Sequence, residues 1–420
     1  MFANFKQIFN PTNKDLRKKI YFTFLALFVF KLGTTIVVPG IDKSSLGTSS
    51  LGFLELMNVM GGGALEQFSI FALGVTPYIT ASIIIQLLEM DIVPYLAELS
   101  KQGGTGRAKL NQITRYLGIA LAFIQGYMFS FAFVSNGTTS DYMMFSLILT
   151  AGTSLLLWIG DKITAKGIGN GISLIIMAGI IASLPNMFIT AWDSLVITTS
   201  TQLFVLGITK FVLFVLLYIG IILGVVFVES AERRVPIQYA NKSVSDSKQS
   251  YVPFKLNSAG VIPVIFASAL ISIPSILAQV MKSEAFTLFV NKYLTTNTVI
   301  GFVIYILCIF GFAYFYTFLQ LKPKEMAENI NKNGGFIPGV RPGEETNRYI
   351  STVLKRITTV GALSLSIIAA LPILFGAFSG LPTSIRIGGT GLIIIVGVAL
   401  DTYKKIDSEL VTRKFSRNRR

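Results

Sequence analysis

Residues able to do covalent or proton chemistry are almost absent from this 420-residue chain, which has no histidine and one cysteine, Cys308, inside an apolar run. Lack of histidine removes the commonest metal ligand and proton shuttle, and with it a Ser-His hydrolase or a zinc peptidase. A single cysteine excludes a disulfide within the chain. No GxxxxGK[ST] loop is present to cradle nucleotide phosphates, and no Asp or Glu stands in the middle of an apolar run, where ion-coupled pumps keep a carboxylate. The expectation is a protein that is not an enzyme, holds no cofactor, and draws any energy for transport from a partner.

The spacings that carry a physical consequence belong to inert residues. Val75 and Ile79, and again Ile172 and Ile176, stand four apart and so share one helical face. Pro77, within FALGVTPYITASIIIQLL, is expected to break one backbone bond and bend a helix there, and the span that begins NSAGVIPVIFASAL is expected to be irregular, with Pro263 in its first turns and Pro274 further along. Gly167, Gly169 and Gly171 in KGIGNGIS permit close backbone approach. Gln86 lies among apolar neighbours, where an amide must face protein or water; it is either interhelical glue or part of a lining. The stretch around Leu54, Glu55, Leu56, Met57, Asn58, Val59 and Met60, ended by Gly61, Gly62 and Gly63, is too short to span a bilayer. It either rests on the membrane surface or re-enters the protein, and pattern alone does not choose. In KNGGFIPGVRPGEET, Pro338, Gly339, Pro342 and Gly343 bracket Arg341 on a defined exposed turn.

These features must be positioned by membrane helices. The chain is 52% hydrophobic and only 14% charged, whereas soluble domains carry roughly a quarter charged residues. Long unbroken runs such as 211–228 and 299–321 exclude the alternating strands of a barrel. Nine apolar runs fall near 20–38, 68–88, 113–134, 142–159, 171–189, 203–228, 258–280, 299–321 and 357–375, and a shorter tenth near 387–400 opens with Gly388, Gly389, Thr390 and Gly391. The basic start leads into the first run without a small-residue cleavage site, so a retained helix is expected, not a cleaved signal peptide. Ten spans with both ends inside leave 30 of the 36 basic residues in inner segments, only Lys43, Lys282, Lys292 and Arg386 outside, and Lys31 and Lys210 within spans. That distribution accounts for the net charge of +15 by topology, with ribosome or anionic-lipid contact as the sharper addition.

Five ordered segments, GGGALEQFSIFALGVTPYITASIIIQLL, KGIGNGIS, NSAGVIPVIFAS, GFIPGVRPGEET and GGTGLIIIVGVALD, closely resemble signatures of the SecY/Sec61 alpha family. The resemblance implies an all-α polytopic membrane protein of ten transmembrane helices in two inverted five-helix halves, 1–190 and 191–420, around a central hourglass pore with a short re-entrant plug near 52–66. It implies a protein-conducting channel of the bacterial inner membrane, with an aliphatic pore ring on Val75, Ile79, Ile172, Ile176, Ile265 and Ile394. The plug would be Leu54 to Gly63, and a lateral gate between spans two and seven would carry Gln86. Arg341, with Arg233 and Arg234, would contact the motor ATPase SecA or the ribosome from loops near 229–257 and 322–356. Lysines only at Lys242 and Lys248 make the stretch 240–252 less basic than in many relatives. Implied partners are SecE, SecG, SecA, the ribosome, unfolded preproteins with their signal peptides, anionic lipids and a second copy in a homodimer. A small-solute secondary transporter, which also uses inverted repeats and broken helices, is the alternative.

Overall fold

The computed structural model describes residues 14–40, 58–90, 92–134, 137–196, 201–239, 250–281, 283–295, 298–379 and 383–417. Among the described residues, ten helices coincide with the ten expected runs: α1 (Lys14–Gly33), α2 (Thr76–Leu88), α4 (Gly104–Phe133), α5 (Thr139–Lys166), α6 (Gly171–Leu195), α7 (Thr201–Ser230), α8 (Ile262–Met281), α10 (Val299–Leu321), α12 (Glu344–Ser379) and α13 (Thr383–Arg417). Five of these stretches are long and apolar enough, by length and composition, to cross a membrane, and α2 and part of α8 are shorter apolar helices. Three short helices connect them: α3 (Pro94–Lys101), α9 (Glu284–Tyr293) and α11 (Pro323–Lys332).

The second apolar run corrects one expectation. Residues 61–75 are a succession of turns, and α2 begins only at Thr76, so Pro77 sits in the first turn and breaks no bond. Phe68 and Gly74 adopt left-handed backbone (φ 45° and 56°). Such backbone is tolerated at membrane depth only when it is buried in protein. Its groups are indeed satisfied: Val38 N–H donates to the Phe68 carbonyl at 3.0 Å and Ile70 N–H to the Ile36 carbonyl at 2.9 Å, while Ser69 N–H reaches the Ala64 carbonyl at 2.9 Å. Prolines do stand inside helices at Pro185, Pro274 and Pro372.

The two long basic loops fold together. β1 (Glu232–Tyr239) pairs antiparallel with β2 (Ser250–Lys255), Glu232 opposite Lys255, and on its other edge with β3 (Gly335–Phe336), giving the order β2-β1-β3. Val235 and Ile237, alternate residues of β1, enter a core with Phe254, Ile330, Ile337 and Leu354. This small sheet is the departure from an all-helical chain. Elsewhere the largest apolar cluster draws on α1, α2, α5, α6, α7, α8, α10, α12 and α13, α4 joins α5 in a second cluster, and α8 packs against both α2 and α4.

Candidate functional site

The four helices α2, α6, α8 and α13 bring the six predicted aliphatic residues into one apolar cluster. Val75, Ile79, Ile176 and Ile394 are buried within it, and Ile172 and Ile265 pack against it partly buried. Each is placed by local sequence. Val75 is the residue preceding α2, so Ile79 follows one turn later on the same face. The Asn170 side chain caps α6, its Oδ1 accepting from Ile172 N–H at 3.1 Å, which fixes where the Ile172/Ile176 face begins. Glycines let these helices approach. A β-carbon on Gly171 would overlap the carbonyl of Gly160 on α5, and one on Gly391 would lie 2.7 Å from the Ile180 side chain. Gly169 is left-handed (φ 89°) and faces Thr402 of α13.

Aliphatic side chains offer no hydrogen bond to water or ions, so a constriction made of them opposes permeation of small polar species yet can part around an unfolded chain of any sequence. The arrangement can gate; it cannot coordinate, titrate or react.

Of the predicted plug, Leu54, Glu55, Leu56 and Met57 lie outside the described residues. Asn58, Val59 and Met60 form a helical turn that ends in Gly61, Gly62 and Gly63. Gly61, Gly62, Ala64 and Leu65 are buried, and Val59 and Met60 pack on the same cluster as the aliphatic six. The described part therefore re-enters the protein and does not rest on its surface. Gly63 N–H closes the turn on the Asn58 carbonyl at 2.8 Å, and Asn58 Oδ1 accepts from Glu66 N–H at 3.0 Å.

Gln86, on α2, donates from Nε2 to Ser82 Oγ at 3.1 Å, while its Oε1 is buried without a hydrogen-bond partner. Gln125 of α4 has a buried Oε1 in the same condition. Sequence reasoning passed over Gln125, although an amide inside AFIQGYMF is the same signal that singled out Gln86. It also missed Glu229 and Asn257, both buried, joined Nδ2 to Oε1 at 2.6 Å where α7 ends and α8 is entered.

Arg341 is exposed immediately after a turn closed by Val340 N–H to the Ile337 carbonyl at 3.0 Å, with left-handed glycines at Gly339 and Gly343 on either side. Arg233 and Arg234 are exposed neighbours on β1 and so point to opposite faces of the sheet. Arg234 pairs through Nε with Glu232 at 2.8 Å and lies over the Tyr251 ring at 4.8 Å. The hydrogen bond it donates to the Glu232 carboxylate is the chief reason its guanidinium is held even more firmly protonated than usual. Lys242 and Lys248 lie outside the described residues.

Comparison with known proteins places this architecture. The SecY family model matches residues 69–403. The protein translocase subunit SecY of Bacillus subtilis is 46% identical over 414 residues, 96% of each chain. That of Halalkalibacterium halodurans is 46% identical over 431 residues, 99% of each chain. Among solved structures, a protein-conducting channel superposes with a TM-score of 0.67 at 20% identity, covering 94% of this chain and 93% of that one. Sec61 from a canine ribosome–channel complex gives a TM-score of 0.64 at 19% identity over 94% and 93%.

Proposed function

The chain belongs to the SecY family and is a membrane-embedded, protein-conducting subunit of a protein translocase, and from that premise we propose how its residues conduct and gate. Val75, Ile79, Ile172, Ile176, Ile265 and Ile394 form the pore ring, and the segment from Leu54 to Gly63 is the plug that closes it. The observation that supports this reading is that four helices contribute the six aliphatic side chains to a single apolar cluster, either buried within it or packed on it, against which the Val59–Met60 turn also packs. Residues 1–190 and 191–420 act as two halves that part where α8 meets α2 and α4, releasing apolar segments sideways past Gln86. Exposed Arg341 and Arg233, with Arg234, receive the driving partner, SecA or a ribosome, on the platform formed by the two basic loops; guanidinium forks suit both carboxylates and phosphates. Sec61 in a ribosome–channel complex is a neighbour in fold, which supports the ribosomal option. SecE and SecG complete the channel, unfolded preproteins are its cargo, and the charge distribution supports the inner membrane with both termini cytoplasmic.

The test is ionic leak through the reconstituted channel without substrate. Ile79→Asn and Ile176→Asn are expected to raise conductance in planar bilayers, and a photocrosslinker at position 79 is expected to capture a stalled preprotein. Unchanged conductance together with no crosslink would overturn the ring. Arg341→Glu is expected to impair partner-driven export at unchanged protein abundance, and full export activity would remove its role.

A further inference from the structure

The plug segment is held at two points by residues outside it. Gly62 and Gly63 take left-handed backbone (φ 71° and 86°), which turns the chain sharply behind Met60. The outer side of that turn lies directly on Gly179, a glycine in the middle of α6. A β-carbon on Gly179 would overlap the Met60 carbonyl oxygen and come within 3.1 Å of Gly62 N, and a β-carbon on Gly62 would in turn lie 3.2 Å from Gly179 Cα. The contact is backbone on backbone, so no side-chain rotation relieves it. On α1, Lys31 Nζ donates to the Gly62 carbonyl at 3.2 Å. Lys31 is exposed in the last turn of α1, where cations are favoured, and the Gly62 carbonyl supplies its ammonium with an acceptor.

We propose that Gly179 and Lys31 form the seat of the plug, the glycine by admitting its backbone and the lysine by hydrogen-bonding Gly62, and that together they set how readily the channel opens. This rests on the reading of Leu54 to Gly63 as the plug. A substitution that enlarges position 179 must move the Met60–Gly62 turn, and one that removes the Lys31 donor leaves the Gly62 carbonyl without that partner. Either change shifts the resting equilibrium toward the displaced plug. The channel should then admit preproteins whose signal peptides are too weak to open the parent channel, because less of the opening work is left for the signal peptide to do. Gly179 and Lys31 thereby become determinants of substrate stringency without lining the pore.

The experiment uses the complete channel with its partner subunits in proteoliposomes, comparing the parent with Gly179→Val, Gly179→Ala, Lys31→Met, Lys31→Gln and a deletion of 54–63. Substrate-free ion flux is read beside export of a preprotein with a defective signal peptide, and Met60→Cys in a Cys308→Ser background reports exposure of the turn to a membrane-impermeant maleimide. Gly179→Val and Lys31→Met are expected to raise resting flux and defective-preprotein export several-fold and to speed labelling at position 60. Gly179→Ala should lie between parent and valine, and Lys31→Gln, which retains a donor, should lie near the parent. If the deletion raises flux while Gly179→Val and Lys31→Met both behave as the parent, the seat is refuted and the plug stands. If the deletion also leaves flux unchanged, the plug reading falls and the seat with it. Should Gly179→Val fail to accumulate, Gly179→Ala and the two lysine variants decide: parental flux and labelling in Gly179→Ala and Lys31→Met overturn the proposal.

Discussion

Asn257 to alanine is the substitution whose cost the structure lets one work out most directly. Asn257 enters α8 from β2, and its Nδ2 donates to Glu229 Oε1 at 2.6 Å and to the Gly260 carbonyl at 2.9 Å, with Asn257 and Glu229 each 4% exposed. A bond to a carboxylate contributes about 1.5–3 kcal/mol and a neutral one about 1 kcal/mol, so the pair accounts for about 2.5–4 kcal/mol. The Glu229 backbone carbonyl is separately held by Lys404 Nζ at 3.2 Å, so the helix end stays anchored and the loss is that of the side-chain bonds. An unfolding entropy of roughly 2.1 cal/mol/K per residue, taken over the whole chain, converts about 3 kcal/mol into a fall of about 3–4 °C in Tm. Thermal unfolding in mild detergent, followed by reaction of a thiol dye with Cys308, reads that shift. A double-mutant cycle with Glu229→Ala should show coupling of at least about 1 kcal/mol. Parental melting of Asn257→Ala, or strictly additive effects in the cycle, would refute the reasoning.

Gly171→Ala should destabilise the channel by about 1–3 kcal/mol, because its β-carbon overlaps backbone, whereas Gly160→Ala should cost less, its β-carbon meeting the Ile172 side chain at 3.1 Å and the Ile172 backbone N and Ile175 side chain at 3.5 Å; paired melting curves compare them. Gln86→Leu removes a buried unpartnered oxygen and is expected to leave Tm unchanged or raised while altering release of transmembrane segments; a lowered Tm would identify the amide as structural glue. Lys19 and Glu409 meet at 2.7 Å with each side chain about a third exposed, so a cycle through Lys19→Ala and Glu409→Ala should give less than about 1 kcal/mol and shrink as salt is raised.

Ten apolar runs could be counted from the chain because hydropathy over twenty residues reports burial in lipid or protein, and that is what the ten helices that coincide with them share, and the connectors α3, α9 and α11 do not. The same property hides conformation. Residues 68–75 are as apolar as the helix they precede, so nothing in their composition marks the left-handed Phe68 or the late start of α2 at Thr76. The sheet was hidden for a different reason: β3 is two residues long, and its partner β1 lies about a hundred residues earlier, a pairing that no local pattern announces. In the structure Ile172 and Ile176 lie one turn apart on α6, and Val75, the residue before α2, lies one turn from Ile79. That Ile265 and Ile394 join the same cluster came from family resemblance, since a lone isoleucine in a span carries no direction of its own. Gly179 illustrates the remaining gap: one glycine in an apolar span is unremarkable until the carbonyl of Met60 is found lying on it.

The bonds around the re-entrant segment are distributed unevenly, and that unevenness bears on opening. Its stem is zipped: the stretch 36–38 exchanges backbone hydrogen bonds with 68–70, Val37 bridging Ser69, and Thr153 Oγ1 reaches the Gly74 carbonyl at 3.4 Å. The turn at 58–63 is bonded chiefly within itself and to Glu66, and is tied to the helices around it by Lys31 and by packing on Gly179. With a typical net hydrogen bond contributing about 1 kcal/mol, lifting the turn sacrifices far less than unzipping the stem. If the segment is the plug, as proposed, a translocating chain pressing on this region should displace the turn about an intact stem at 64–75. On the same proposal the stem would hold the turn within reach of Lys31 and Gly179 after passage, so resealing would not require the segment to find its site anew.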